Sequence, residues 1–170
     1  MAFWTSTRGI FLLIFLLCCA FMGYALYSQH VLGLQPCNLC VLQRYAMVGL
    51  GAVCAIAALH GPRGWGARIY GVIALVVASA GAGVALKHHN IQNMSDEQKL
   101  MLTCEAPLDY LLENKTWGDA LKVVFSGGGN CGDVDWTFLG LGMPGWVLVW
   151  FCIFALLLLW RAVIVPQHRR

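Results

Sequence analysis

The sequence predicts an all-α integral membrane protein, a four-helix bundle with two outward loops, and three observations carry that prediction. Of 170 residues, 59% are hydrophobic and only 11% charged, with a mean hydropathy of +0.70, so the principal solvent of the chain is lipid. Four apolar runs, Gly9–Tyr27, Val41–Leu59, Ile69–Leu86 and Gly145–Trp160, each approach the roughly 17 to 25 residues that cross a bilayer as a helix. The charges are also segregated. Arg8, Arg63, Arg68, Arg161, Arg169 and Arg170 flank the ends that four crossings bring together, whereas all eight acids fall between the third and fourth runs. Basic ends face the cytoplasm, so both termini are expected there, with the acidic connection outside.

Taken in order, the first span covers about residues 9–27 and is read as a retained helix, since no small-residue cleavage site precedes Pro36. An outer loop follows at 28–40. The second span, 41–59, reaches crossing length only by absorbing Gln43 and Arg44 at its outer end. A short inner loop at 60–68 leads to the third span, 69–86, whose glycines between Gly71 and Gly83 suit close helix contacts. The second outer loop, 87–144, is too long for a connector and too polar for a span. Within it Ser95-Asp96-Glu97-Gln98 reads as a capping box opening a short helix toward Cys104. Trp117, Leu121, Val124 and Phe125 form an apolar stripe on a second short helix, lying either on the bilayer surface or against the protein. The last span runs to about residue 162, and the whole chain, 1–170, is one membrane domain.

Cysteine placement points to the chemistry. Cys18, Cys19, Cys54 and Cys152 lie inside apolar runs and read as small buried hydrophobes. Cys37, Cys40, Cys104 and Cys131 lie in the outer loops, where an oxidising compartment allows disulfides in any of three connectivities. Cys37-Asn38-Leu39-Cys40 is a CxxC motif at the outer end of a span. A thiolate at the start of a helix is stabilised by the unpaired backbone N–H groups there. Cys40 and Arg44 stand four residues apart and share a helix face, which places a guanidinium beside a thiol. Such a group lowers a thiol pKa and donates hydrogen bonds to a carbonyl whose charge grows during reduction. The competing role for Arg44 is an interfacial arginine reaching the headgroups.

Zinc is disfavoured, because Cys104 and Cys131 do not form a second CxxC, and no metal is expected. The adjacent His88 and His89 would point to different faces of a helix. The net charge of +3 follows from topology and gives no support to nucleic-acid binding. No phosphate-binding glycine loop, HExxH motif or nucleophile elbow is present.

Pro36-Cys37-Asn38-Leu39-Cys40-Val41-Leu42-Gln43-Arg44, the separated Cys104 and Cys131, and Trp136 through Pro144 before the last span together resemble the disulfide bond formation protein B (DsbB) family over nearly the whole chain. The resemblance implies a thiol:quinone oxidoreductase of the bacterial inner membrane, which oxidises a periplasmic DsbA-type thiol oxidase and passes the electrons to ubiquinone or menaquinone. It implies that Cys104 receives the partner's attack, that the released Cys131 attacks Cys37, and that Cys40 is left facing the quinone. It also implies that Arg44 and a histidine, matched by position to His89, lie near the quinone. One departure is the absence of proline between Asn90 and Thr103, which bears on partner docking. Two alternatives stay open: a redox-inert membrane interaction protein stapled by disulfides, and a vitamin K epoxide reductase-like enzyme. The early position of the CxxC disfavours the second.

Overall fold

The computed structural model describes residues 7–95, 131 and 137–160. Among them are four helices: α1 (Thr7–His30), α2 (Asn38–His60), α3 (Trp65–Gln92) and α4 (Met143–Leu158). The first three are long and apolar enough to cross a membrane, and α4 is a shorter apolar helix. The all-α membrane bundle expected from the sequence is therefore present. The capping-box helix toward Cys104 and the stripe from Trp117 to Phe125 lie outside the described residues.

α1 packs on α2, α2 on α3 and α3 on α4. Phe21 of α1 meets Trp150 of α4 with ring centroids 5.1 Å apart, which closes the circuit. The interior is built from Phe11, Ile14 and Cys18 of α1, Met47, Leu50 and Cys54 of α2, and Phe151, Phe154 and Leu158 of α4, all packed around the alanines of α3. On α3 the buried positions Ala67, Gly71, Ala74, Ala78, Gly81 and Ala85 recur at alternating steps of four and three. Small residues in that phase let neighbouring helices approach closely. A Cβ on Gly81 would stand 2.5 Å from the Phe151 ring, so the ring occupies the volume that any larger residue would need. The opposite faces carry Leu16, Val48, Ile56, Val72, Val76 and Leu156, all exposed. In water such a belt would be a liability. In lipid it is the expected surface.

The helices extend past the apolar runs that located them. α3 continues through Lys87-His88-His89-Asn90-Ile91-Gln92, six residues beyond the predicted span. Hydropathy finds where a helix lies in hydrocarbon, whereas the helix ends where its hydrogen bonds find other partners. At the opposite end the inner connection shrinks to four residues, 61–64, because Gly61 ends α2 in the left-handed conformation at φ 60° and its N–H bonds to the Ala57 carbonyl. Arg8 Nε donates to the Ala58 carbonyl at 2.6 Å and ties the start of α1 to this cap.

One small element was not anticipated. Thr137–Phe138 and Leu141–Gly142 form a two-stranded antiparallel ladder, here β1 and β2, just ahead of α4. Its tip, Leu139 and Gly140, has positive φ at both residues, as a two-residue hairpin with matching strand twist requires. Trp146 Nε1 donates to the Phe138 carbonyl at 3.0 Å and fastens the hairpin to α4.

Candidate redox site

The site is built on the first turn of α2. Cys37 is the N-cap, with extended backbone at φ −71° and ψ 168°, and its sulfur accepts the Cys40 N–H at 3.3 Å. The CxxC thus performs the capping that Ser or Asp usually performs. Its two sulfurs face the unpaired N–H groups and positive dipole end of a 23-residue helix. Cys37 Sγ and Cys40 Sγ are 2.9 Å apart. The motif's spacing alone brings them together, since the cap and the third helical residue lie on the same side of the first turn.

α3 supplies the second component. His88 is 2% exposed, and its Nε2 lies 3.6 Å from Cys37 Sγ. Its other nitrogen, Nδ1, is 3.0 Å from Gln43 Nε2. An amide nitrogen only donates, so Nδ1 accepts and the ring proton stands on Nε2, toward the sulfurs. Gln43 is itself buried, in phase with Leu39, Met47 and Leu50 on the inner face of α2. His89 lies elsewhere. Its Nδ1 is buried without a hydrogen-bond partner among the described residues and sits 3.4 Å from where a Cβ on Gly145 would be. Its Nε2 is 3.3 Å from Asn93 Nδ2.

The third component comes from the second outer loop. Cys131 is fully buried against Leu39 and Ile91, with Cys37 and Val84 at the edge of the cluster. Its sulfur accepts from the Cys37 thiol and from the Leu39 N–H, and these two bonds hold the Cys131 thiol down to about 7 against the opposing effect of burial. Cys37 responds in the opposite sense. Its contacts with Cys131 and then Cys40, together with burial, push its thiol well above the usual range. Three sulfurs thus share one neighbourhood, with Cys37 in the middle.

A cavity of about 460 Å³ opens beside this cluster, within the size range of small-molecule sites. Phe21, Trp146, Val147 and Trp150 give it apolar walls, and Cys37, Cys40, Gln43, Arg44 and His88 give it polar ones. Arg44 NH1 donates to Gln29 Oε1, and NH2 donates to the Ala25 carbonyl at 3.1 Å. The guanidinium is therefore fixed between α2 and α1, one turn below Cys40. Both of these bonds go to protein groups.

Residues 7–161 match the family described as Disulfide bond formation protein DsbB. The chain belongs to the DsbB family. Among curated relatives, Disulfide bond formation protein B of Xanthomonas campestris is 44% identical over 163 residues, covering 95% of this chain and 92% of the relative. That of Marinobacter nauticus is 42% identical over 152 residues, covering 89% of each. That of an Azoarcus species is 42% identical over 155 residues, covering 91% and 92%. This DsbB-family chain is accordingly a membrane oxidoreductase of disulfide bond formation.

Of the six residues singled out from the DsbB resemblance, the structure brings Cys37, Cys40 and Cys131 together and places Arg44 on the adjoining wall. Cys104 lies outside the described residues. His89 is not among the cavity's lining residues, and the neighbouring His88 is. His88 and Gln43 are the two site residues that the sequence reading passed over. A signal for His88 was present. The four-three stripe of α3, continued from Ala85, next falls on 88, so the helix phase points His88 inward and turns His89 aside.

Proposed function

We propose that this protein is a thiol:quinone oxidoreductase that reoxidises a DsbA-type periplasmic thiol oxidase. The observation that carries this reading is the contact of Cys131 with Cys37, beside Cys40 and a cavity walled by aromatic rings and Arg44. In the proposed sequence a partner thiolate attacks the Cys104–Cys131 disulfide at Cys104 and releases Cys131 as thiolate. Cys131 then attacks Cys37 of the Cys37–Cys40 disulfide. A Cys37–Cys131 bond forms, and Cys40 leaves as thiolate toward the cavity. The partner's second thiolate resolves the mixed disulfide, and the freed Cys104 attacks Cys131 and restores the original loop pair. Cys37 and Cys40 are left reduced. Each exchange moves one bond through a mixed disulfide and needs no soluble carrier.

The cavity's residues fit a quinone: flat apolar walls for a ring, and a fixed guanidinium and an Nε2–H for its carbonyl oxygens. A bound quinone, ubiquinone or menaquinone, supplies the acceptor for two electrons and two protons. Arg44 would orient it and hold positive charge where electron density arrives, His88 would offer its Nε2–H beside the sulfurs, and the N-terminus of α2 stabilises the Cys40 thiolate beforehand. Because the reaction couples a periplasmic partner to lipid-dissolved quinone, the CxxC end of the bundle is assigned to the periplasmic side of a bacterial inner membrane. The arginine-bearing end and both termini are assigned to the cytoplasm. Three sulfurs sharing contacts also suit exchange better than a static staple, which needs isolated pairs.

The test is to mix the purified, oxidised protein with a reduced DsbA-type partner whose second cysteine is replaced by serine, so that the mixed disulfide cannot be resolved, and to separate the products without reductant. The expected product is a partner adduct at Cys104. A folded protein that forms no such adduct would overturn the electron route, and a wild-type protein that oxidises the partner without consuming quinone would overturn the acceptor.

A further inference from the structure

The CxxC and His88 have a second capacity once both cysteines are reduced. Cys37 Sγ, Cys40 Sγ and a ring nitrogen of His88 lie within 4.8 Å of one another. A tetrahedral zinc ion with ordinary Zn–S and Zn–N bonds holds such ligand atoms about 3.5 to 3.8 Å apart. Here Cys37 Sγ is 3.6 Å from His88 Nε2 and 2.9 Å from Cys40 Sγ, so the thiols need only open slightly. Two thiolates and an imidazole are a donor set matched to zinc among the abundant divalent ions.

The surroundings meet the further requirements of a metal site. A ligating histidine nearly always has its other nitrogen held by a neighbour, and loss of that neighbour weakens binding. His88 Nδ1 already has one in Gln43. Turned over, the same amide presents its oxygen, accepts an Nδ1–H and leaves the Nε2 lone pair for the ion. All three ligands line the cavity, which provides an entry path and a place for a fourth, solvent ligand. Cysteine spacing alone argues against a metal, because no second CxxC exists. The missing ligand comes from α3, far along the chain.

We infer that the reduced protein captures one zinc ion on Cys37, Cys40 and His88, with the fourth position open to the cavity. On binding, each thiol releases one proton to solvent and His88 contributes a lone pair, with no electron transferred. Resting on the redox reading above, captured zinc holds the two thiols out of the cycle, and it leaves when they are oxidised.

The experiment uses the full-length protein in detergent, reduced with a phosphine, freed of reductant without air, and titrated with zinc against a chromophoric chelator. Cobalt(II) in place of zinc reads the geometry. One zinc per reduced chain is expected and none per oxidised chain, with a cobalt complex showing thiolate charge transfer and intense tetrahedral bands. Cys40→Ser and His88→Ala should lose the site, Cys131→Ser should retain it, and Gln43→Leu should weaken it about 10- to 100-fold. A reduced wild-type chain that binds no zinc, or a pale six-coordinate cobalt spectrum without charge transfer, would sink the inference, as would binding that persists in both Cys40→Ser and His88→Ala. Quinone-driven thiol oxidation, measured on the same preparation with chelator present, separates the two readings. Oxidation without zinc capture overturns only this inference, and zinc capture without oxidation overturns only the redox reading.

Discussion

Cys37 touches Cys40 on its own helix turn, His88 across the bundle and Cys131 from the distant loop. Only the first of these contacts follows from local spacing, which is why the CxxC was legible in the sequence and its partners were less so. Arg44 was legible for the same reason, standing one helical turn from Cys40. The choice between His88 and His89 depended on the phase of α3. Phase is set by tertiary packing along the stripe rather than by the residues next to the pair. His88→Ala should therefore slow quinone-dependent turnover strongly, whereas His89→Ala should change it little. Equal effects would show that the cavity wall is misassigned. Arg44→Ala should lower quinone-dependent turnover about 10- to 100-fold, the range of one lost charged hydrogen bond, while thiol exchange with the partner persists. Unchanged quinone kinetics would remove Arg44 from the site.

The Cys131 thiol carries a pH prediction. Held down to about 7 by the Cys37 thiol and the Leu39 N–H, it is mostly thiolate above pH 7. An ordinary thiol reaches that state only near pH 8.5. Cys37 donates that hydrogen bond only while it is a thiol, so in the fully reduced chain the thiolate absorbance of Cys131 should grow in with a midpoint near neutrality. Cys37→Ala removes the largest cause of the shift and should move Cys131's own titration upward. A titration near 8.5 in the wild type would contradict the geometry.

Among the elements, α3 decides most. Its stripe of small residues was recognised only as glycines suited to close contact, and the structure extends it to alanines and finally to His88. Gly81→Ala should destabilise the α3–α4 pair by about 1 to 3 kcal/mol through overpacking, because Phe151 is fully buried and has no room to move. Gly83→Ala is the control, as a Cβ there meets nothing within 4 Å. Thermal unfolding in detergent should fall for the first and hold or rise for the second. Equal melting temperatures would show that the close approach carries no stability. The hairpin before α4 escaped notice for a physical reason. Each strand is two residues long, too short for alternation to register, and Leu139 occupies a positive φ that leucine rarely adopts.

For the molecule as a whole, composition and charge were sufficient to predict a membrane bundle, because lipid imposes helices on any chain that crosses it. The exact helix ends were not predictable from hydropathy, which is blind to the polar turns that extend α3 beyond its apolar run. The proposed orientation has a direct check. In a chain lacking its native cysteines, a cysteine at Gly33 should react with a membrane-impermeant maleimide from the periplasm, and one at Arg63 only after the inner membrane is opened. The reverse pattern would invert the assignment. At this scale the central position of Cys37 has one more consequence. A sulfur has room for a single disulfide, so bonding to Cys40 and bonding to Cys131 exclude each other. On the proposed electron route the protein therefore works like an airlock: the door toward the partner and the door toward the membrane share one bolt, and they are never both latched through it at the same moment.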